Sequence, residues 1–519
     1  MIVYINKIIF LLRKHYAAIF LSLLIGLVMV APELLFIQQA GNDYRGIHMF
    51  KTDAELHYLA RMQEVVDGNG LGNPFIYEYK NNVPSAAYTI SETILAWPAK
   101  FFGIPIPTIN LFYKFFLPVI IALLVYSLSF RLIGNRIWSV AAMFGVLLGN
   151  ALLNAPDLVH FLRWEKVYDS FALYSRPINP EFSSIIFFAY LHIFFSALKK
   201  KTWRWFLALG VLLGVSFYVY FYSYSFFLAL NAVFFFLYAA RKEYNISLKI
   251  ATATILGAAI GAWSIVNTIA IYHHQYYLPM AKLSDIVLSH RPVVSAVGVM
   301  AALILVLFAL RYRTYPNLIF LYGLVATAFV VVNQQVVTGI LIQEGHYHWY
   351  FNVPIFIIIF IITGYYFLGN RRILSIVLAA LVCFVSLASA TLIQASAYER
   401  WVGEVKNDQR YAKVLAWLKK ETPKESVVFA DNSLSQFIPV YTSNNVVWEN
   451  HAAYYLLSPE RRAFTPEALL SAPNFRQELS QYQVDYFVWD TKKEPEWRLD
   501  KYSFLKQLYD DGEFKIYAR

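Results

Sequence analysis

Asp53, Glu55 and His57, near the start of the chain, are residue types that can bind a metal ion or take up a proton, and they are spaced by two positions. They stand in the string TDAELHYLARMQEV, whose periodicity predicts a helix over 53–66. Carboxylate oxygens suit Mg²⁺ or Mn²⁺, so Asp53 with Glu55 or His57 would hold such an ion. Asp53 and His57 would share a helix face, whereas Glu55 would point away unless the first turn is unwound. Asp53 would equally serve as an N-cap, as would Thr52, and the sequence leaves a metal requirement open.

A second group, Glu344, His346 and His348, lies in the string NQQVVTGILIQEGHYHWY. The two histidines alternate with Tyr347 and Trp349, as they would in an extended segment that shows both imidazoles on one side. Such a pair, with Glu344, would bind a divalent ion or a sugar and its phosphate. The alternative is an interfacial belt of aromatic residues, which is common at membrane surfaces. The sequence leaves both interpretations open.

The composition indicates which elements position these residues. Of 519 residues, 58% are hydrophobic and 15% are charged, and the mean hydropathy is +0.47. A soluble globular chain carries about 25% charged residues, so a disordered or fibrous protein is excluded and an ordinary soluble enzyme is disfavoured. The net charge is +11, but the tail beyond residue 397 is not a basic face for nucleic acid. The single cysteine, Cys383, excludes an intrachain disulfide.

Eleven apolar stretches are candidate membrane spans, since a spanning helix needs about 20 mostly apolar residues. They cover 17–37, 107–130, 137–154, 182–198, 203–222, 224–240, 250–271, 293–310, 317–337, 351–369 and 373–395. Polar residues 223–225 predict a turn between the fifth and sixth spans. Lys and Arg collect in alternate short loops, which places the N-terminus inside and, with an odd number of spans, the tail outside. The predicted fold class is an α-helical polytopic membrane protein.

The tail differs from the rest of the chain. We predict a membrane domain over 1–397 and a small extracytoplasmic α/β domain over 398–519. Strands are predicted at 426–430, 445–448, 484–489 and 514–517, and helical segments at 410–420, 434–441, 458–470 and 501–510. Asp431, Asn432 and Ser433 follow a strand. With no GxGxxG or P-loop string near them, a turn or N-cap is favoured over a nucleotide site.

The first outer loop, 38–106, resembles that of the C-type (GT-C) glycosyltransferases. In that family a carboxylate, usually Asp, just beyond the first span is essential, so the resemblance implies that Asp53, with Glu55, is catalytic. It extends to the whole architecture, from an inside N-terminus to an outer C-terminal domain. The chain lacks the WWDYG string of the oligosaccharyltransferase branch. It is therefore nearer to the monosaccharide-transferring branches, which use polyprenyl-phosphate sugar donors.

The chemistry that this resemblance implies needs few groups. Asp53 would act as the base that takes the proton of an acceptor hydroxyl. The lipid phosphate that leaves would be met by a cation. Three basic residues on the outer side are candidates for this contact: Arg176, Lys80 and Arg163. Arg176 is favoured because Pro177 and Pro180 stiffen its segment and a guanidinium presents a rigid fork of donors, whereas Lys166 is interpreted as an anchor to bulk lipid.

The sequence thus predicts a multi-pass enzyme of the plasma membrane, in a bacterium, that transfers a hexosyl or pentosyl group. The expected donor is a polyprenyl-phosphate sugar and the expected acceptor is a lipid, glycan or protein on the outer face. Two alternatives are a flippase or exporter of lipid-linked glycans and an O-antigen ligase or polymerase. Basic residues within the spans are scarce, which counts against a flippase. The acid-rich early loop counts against a ligase.

Overall fold

The structure is a computed structural model, and it describes residues 2–52, 54–70, 72–81, 84, 90–368 and 371–519. The chain divides into two compact units. The first unit comprises 1–35, 112–265 and 286–401, and the second comprises 36–111, 266–285 and 402–519. The first outer loop and the tail therefore belong to the same unit. The division into two domains at residue 398 stays a prediction.

Apolar helices lie at all eleven positions predicted for membrane spans. Among the described residues, seven are long and apolar enough to cross a membrane: Arg13–Asp43, Ile106–Ile133, Pro177–Lys200, Phe221–Ala240, Leu318–Thr338, Glu344–Leu368 and Arg372–Glu421. The helices Tyr244–Ile260 and Ala262–Tyr272, bent by 66°, would together make an eighth. Shorter apolar helices span Arg136–Leu148, Trp203–Ser216 and Ala296–Arg311. The chain is a polytopic membrane protein, while eleven spans and their sidedness stay predictions.

The turn predicted at 223–225 is wrong. One helix ends at Ser216 and the next begins at Phe221, so residues 223–225 lie inside a helix. The hydroxyl of Ser225 donates to the carbonyl oxygen of Phe221 at 2.7 Å. A serine that bonds to the carbonyl four residues earlier is satisfied within a helix, and its polarity therefore does not mark a turn.

Glycines allow two helices of the first unit to pack closely. Gly210 and Gly214 on Trp203–Ser216 face Tyr244–Ile260, where a Cβ added to Gly210 would lie 2.7 Å from the carbonyl oxygen of Ala253. Gly257 lies against Leu213 in the same way. Small residues spaced by four let helix backbones approach in membranes, where packing rather than water exclusion drives association.

The remaining helices and a ribbon are short. The first unit contains the helices Ala155–Leu162, Gln335–Thr338 and Glu344–Tyr347, and a ribbon that pairs Val287–Leu288 with Ile340–Leu341. The second unit contains Glu55–Asp67, Ile90–Phe102, Tyr277–Leu283, Ala412–Glu421, Asn432–Ser435, Ile438–Tyr441, Pro459–Arg462, Pro466–Leu470 and Phe475–Gln481. Asp431 is the N-cap of Asn432–Ser435 and accepts a hydrogen bond from the Ser433 amide, so the N-cap interpretation is confirmed.

A five-stranded sheet forms the core of the second unit in the described chain. Its order is Asn445–Val446, Val427–Phe429, Tyr486–Asp490, Phe514–Ala518 and Lys506–Asp510. The first three strands are parallel and the last two antiparallel to their neighbours. The helix predicted over 501–510 is therefore wrong: a short 3-10 helix ends at Lys501, and Lys506–Asp510 is a strand. In the hairpin turn that follows, the Asp511 amide donates to the Phe514 carbonyl oxygen at 3.2 Å, and Gly512 between them has a φ of 85°.

The first outer loop packs on this sheet. The amide of Val446 donates to the carbonyl oxygen of Phe75 at 2.8 Å. Arg461 Nε donates to Glu78 Oε1 at 2.7 Å. Phe75 is fully buried. The loop that carries the predicted catalytic residues is therefore held within the second unit by backbone and side-chain bonds.

Candidate active site

The helix that follows Asp53 begins at Glu55. Asp53 itself lies outside the described residues. Glu55 Oε2 accepts hydrogen bonds from the Thr52 amide at 3.3 Å and from Thr52 Oγ1 at 2.8 Å. These bonds join the first residue of the helix to the residue three positions earlier. The N-cap is Ala54, with a left-handed φ of 55°, so the cap expected at Thr52 is wrong.

A further bond anchors the same carboxylate. Asn110 Nδ2 donates to Glu55 Oε1 at 2.9 Å, and Glu55 is 3% exposed. Both carboxylate oxygens of Glu55 are thus bonded to protein groups, Thr52 and Asn110. These bonds hold the start of the helix Glu55–Asp67 against Asn110. The catalytic role of Glu55 stays a prediction.

His57 packs against the tail within the second unit. Its ring stacks on Tyr455, with centroids 5.7 Å apart and planes at 15°, and Nε2 lies 3.1 Å from the Tyr455 hydroxyl. Burial lowers the pKa of His57 well below its usual value, and the charges of Arg61 and His451 lower it further. A neutral, stacked imidazole of this kind stabilises the contact between loop and tail.

These contacts bear on the metal hypothesis. No group of three or more His, Cys, Asp or Glu in the described part of the chain is arranged to hold a metal ion. Glu55 accepts hydrogen bonds from Thr52 and Asn110, and His57 Nε2 lies next to the Tyr455 hydroxyl. Because Asp53, which the hypothesis pairs with them, lies outside the described residues, a metal site there stays a prediction.

Lys80 is enclosed by acceptors. Its ammonium is 4% exposed, lies 2.9 Å from Glu64 Oε1 and 3.0 Å from Asn445 Oδ1, and also forms a salt bridge with Glu425. Burial raises the pKa of Glu64 to about 7, against the lowering effect of Lys80. For Lys80 to bind a phosphate, these bonds would have to break. That predicted role stays a prediction. The observed contacts connect the first outer loop to the tail.

Arg163 lies at the exposed end of the helix Ala155–Leu162. Its guanidinium is 3.7 Å from the carboxylate of Glu165, and its side chain is 68% exposed. Lys166, interpreted as a lipid anchor, forms a salt bridge with Glu399. Neither cation is enclosed by a binding cavity here, so the structure adds no support to the predicted phosphate contact of Arg163.

Arg176 is held by its neighbours in the first unit. Its Nε donates to the carbonyl oxygen of Asn179, and its Nη2 donates to the hydroxyl of Tyr350. The guanidinium carbon lies 6.0 Å from the centre of the Tyr350 ring. Asn179 and Tyr350 are buried while Arg176 is half-buried, so these contacts fix the direction of the guanidinium.

His346 lies on the same tyrosine. Its ring stacks on Tyr350 with centroids 5.2 Å apart and planes at 15°. Its Nδ1 is 3.2 Å from the hydroxyl of Tyr220, and its ring meets that of Tyr222 edge to face at 4.6 Å. The structure therefore joins the predicted phosphate-binding Arg176 and the predicted substrate-binding His346 through Tyr350.

The extended segment predicted for His346 and His348 is wrong. Glu344–Tyr347 is helical, and His348–Asn352 continues as a π-helix. Residues two apart on a helix point in different directions, so the two imidazoles diverge. His348 and Glu344 line a cavity of about 570 Å³ with Trp349, Asn154 and other residues of the first unit. Their predicted ligand role stays a prediction.

Sequence reasoning missed the tyrosines that connect the site. The sequence gives Tyr350 no role, and tyrosines such as Tyr220 and Tyr222 near the end of a span are typical of an aromatic girdle at the membrane surface. The hydroxyl of Tyr222 donates to Gln343 Oε1 at 2.8 Å, which links the helix Phe221–Ala240 to the segment that contains His346. The alternating tyrosines at 218, 220, 222 and 224 were the available signal, but alternation does not reveal which ring meets a histidine.

Sequence comparison finds no relative, whereas structure comparison does. No protein family and no curated protein matches the chain. An arabinofuranosyltransferase, AftD, from mycobacteria aligns with 98% of this chain and 40% of its own, at 12% identity and a TM-score of 0.54. ArnT from Cupriavidus metallidurans, bound to undecaprenyl phosphate, aligns with 98% of both chains at 10% identity and a TM-score of 0.50.

These two similarities define the fold. The chain shares its overall fold with these two solved proteins. An oligosaccharyltransferase from Archaeoglobus fulgidus, tethered with an acceptor peptide, also aligns with 93% of this chain and 69% of its own, at 12% identity and a TM-score of 0.46. At such identities the likeness is one of fold, and the activity has to be argued from this chain's own residues.

Proposed function

We propose that this protein is a membrane glycosyltransferase of the GT-C type. It moves a hexosyl or pentosyl group from a polyprenyl-phosphate donor to a lipid, glycan or protein acceptor on the outer face of the membrane. One observation carries the proposal: Arg176 and His346 contact the same side chain, Tyr350. A fixed guanidinium next to an imidazole and two tyrosine hydroxyls is a set of groups suited to a phosphate and the sugar attached to it.

The fold supports the same proposal. Two solved membrane proteins with this architecture, AftD and ArnT, are an arabinofuranosyltransferase and a protein crystallised with undecaprenyl phosphate. A donor of the same chemical kind would present a phosphate at the membrane surface and a hydrocarbon chain within the bilayer. The half-buried Arg176 would meet the phosphate.

In the proposed reaction, the acceptor hydroxyl oxygen attacks the anomeric carbon of the sugar. The bond from that carbon to the phosphate oxygen breaks, and the polyprenyl phosphate leaves with the electron pair. Asp53 takes the proton of the acceptor hydroxyl, and Arg176 stabilises the negative charge that grows on the leaving phosphate. Glu55 bonds Thr52 and Asn110 and so holds the start of the helix Glu55–Asp67 in place.

The proposal is tested by sugar transfer in purified, reconstituted protein. Radiolabelled polyprenyl-phosphate sugars serve as donors and a membrane extract serves as the acceptor. We expect transfer by the wild type and a loss of about 10² to 10⁴ in Asp53→Asn, the range typical of a general base. Asp43→Asn is the matched control, because Asp43 is an exposed acid of the same loop.

Three outcomes would contradict the proposal. Full activity in a normally inserted Asp53→Asn protein would show that Asp53 is not the base. Equal losses in Asp53→Asn and Asp43→Asn would indicate a general effect of loop charge. No transfer from any donor, together with labelled lipid moving between leaflets, would make the protein a flippase.

A further inference from the structure

A groove in the second unit carries unpaired positive charge. Two adjoining cavities, of about 330 and 440 Å³, share the lining residues Gln63, Pro105, Ile106, Lys419 and Ser443. Their walls come from the helices Glu55–Asp67 and Ala412–Glu421 and from the chain around 99–108. Together they form one groove, with a volume in the range of small-molecule sites.

Four cations line this groove: Arg45, Lys100, Lys419 and Lys424. All four are exposed, and none forms a salt bridge with any residue that the structure describes. Asp67, the acid that lines the groove, accepts hydrogen bonds from Ser443 at 2.8 Å and from Gln63 at 3.1 Å. Elsewhere in the same unit, Lys51, Arg410 and Arg461 are paired with acids. With four cations and one carboxylate in its lining, the groove has a net positive charge, which attracts anions.

The rest of the lining indicates what kind of anion fits. Hydroxyl and amide side chains of Thr422, Ser443 and Asn444 line the groove together with the apolar side chains of Pro105 and Leu418. Such a mixture suits hydroxylated rings, which have polar edges and apolar faces. Because cations stand in the same lining, a charged glycan suits the groove better than an acyl chain.

We infer that the groove binds an anionic oligosaccharide, with Lys419 and Lys424 contacting its carboxylate or phosphate groups. That this glycan is the acceptor of transfer rests on the proposed function. The binding itself does not, because it involves residues outside the Arg176 and His346 site.

The test is calorimetric binding to the full-length protein in nanodiscs of phosphatidylcholine. The probes are hexagalacturonate, which carries a carboxylate on each ring, and maltohexaose, which is neutral and equally long. We expect hexagalacturonate to bind and maltohexaose not to bind, and we expect the affinity to fall as ionic strength rises. The double variant Lys419→Gln with Lys424→Gln should weaken binding about tenfold, as expected for the loss of charge-assisted contacts.

The chain offers a matched control. Lys420 is next to Lys419 on the same helix, does not line the groove, and pairs with Glu421 at 2.9 Å. Lys420→Gln should change the affinity by less than about twofold, since exposed pairs contribute little. Because all three lysines are exposed, the variants should fold like the wild type, which thermal unfolding verifies.

Several results would overturn the inference. They are the absence of hexagalacturonate binding, equal binding of maltohexaose, and an equal loss in Lys420→Gln. Abolition of binding in nanodiscs that contain phosphatidylglycerol would assign the groove to a lipid headgroup instead. Since no sugar donor is present in this assay, its failure leaves the proposed transferase untouched. Conversely, binding without any transfer would contradict the proposed function alone.

Discussion

Arg176 and Tyr350 are 174 positions apart in the chain, yet the guanidinium of one donates to the hydroxyl of the other. His346 stacks on the ring of the same tyrosine. Tyr350 therefore connects two residues that the sequence singled out separately. A contact of this kind orients Arg176 before any ligand arrives, which lowers the entropic cost of holding its fork of donors in place.

The first prediction concerns this pair. Arg176→Gln should lower transfer by at least about 10², because a charged donor to the leaving phosphate is lost. Tyr350→Phe keeps the ring for His346 but removes the hydroxyl. It should therefore raise the donor KM by about tenfold and change kcat less, consistent with one lost charge-assisted bond. Steady-state kinetics with varied donor concentration measures both values.

The control for this prediction is Arg163→Gln, which removes an exposed cation that the structure places at a helix end. If Arg163→Gln costs as much as Arg176→Gln, the contact with Tyr350 does not distinguish the two arginines. The assignment of Arg176 to the donor phosphate would then fail.

A second prediction concerns His346 and His348, whose side chains point in different directions. His346→Asn removes an imidazole from Tyr220 and Tyr350, and we expect transfer to fall by about 10-fold or more from the loss of its hydrogen bond and stacking. His348→Asn changes a separate cavity, so its effect should differ in kind, with a smaller change in donor KM. Kinetics of the two variants side by side measures the difference. Identical profiles would indicate that both imidazoles serve one site.

Glu55 supports a third prediction, which separates positioning from catalysis. Glu55→Ala leaves Asn110 and Thr52 without their shared acceptor and should destabilise the protein by about 1–3 kcal/mol. Glu55→Gln retains an acceptor oxygen and should keep much of the activity and stability. Thermal unfolding and transfer rates measure the two effects. Inactivity of a Glu55→Gln protein with unchanged stability would make Glu55 a catalytic residue.

The pKa of His57 leads to a fourth prediction. An unfolded chain binds a proton at His57 near pH 6.5, whereas the folded chain binds it only at lower pH, because burial and the charges of Arg61 and His451 lower the pKa. The unfolded state therefore binds more protons in this window, so stability falls as the pH drops below about 6.5. Unfolding midpoints measured from about pH 7.5 to about pH 5.5 report this slope.

His57→Phe is the informative variant for this effect. The phenyl ring keeps the stack on Tyr455 but has no proton to bind. We expect its stability to depend less steeply on pH over the same window. An unchanged slope would show that another group dominates the acid side of the stability curve.

Much of the architecture was predictable because apolar runs have to be helices in a bilayer, where every backbone polar group needs an internal partner. The eleven stretches therefore coincide with apolar helices. The parallel strands of the tail were also found, since runs such as those at 427–429 and 486–490 are short, apolar and bounded by turn residues. The hairpin strand Lys506–Asp510 was not predicted, because its side chains are mostly exposed and show no alternating pattern.

The chemistry of the site depended more on tertiary structure. Residue type and position singled out Arg176, His346 and the segment of Asp53 and Glu55 from the sequence alone. Local spacing could not show that Lys80 is enclosed by Glu64 and Glu425, nor that His346 and His348 point apart. These facts depend on contacts between residues far apart in the chain and on a helical rather than extended backbone. Composition and periodicity determine which segments are buried and helical, whereas side-chain partners are decided by how those segments pack.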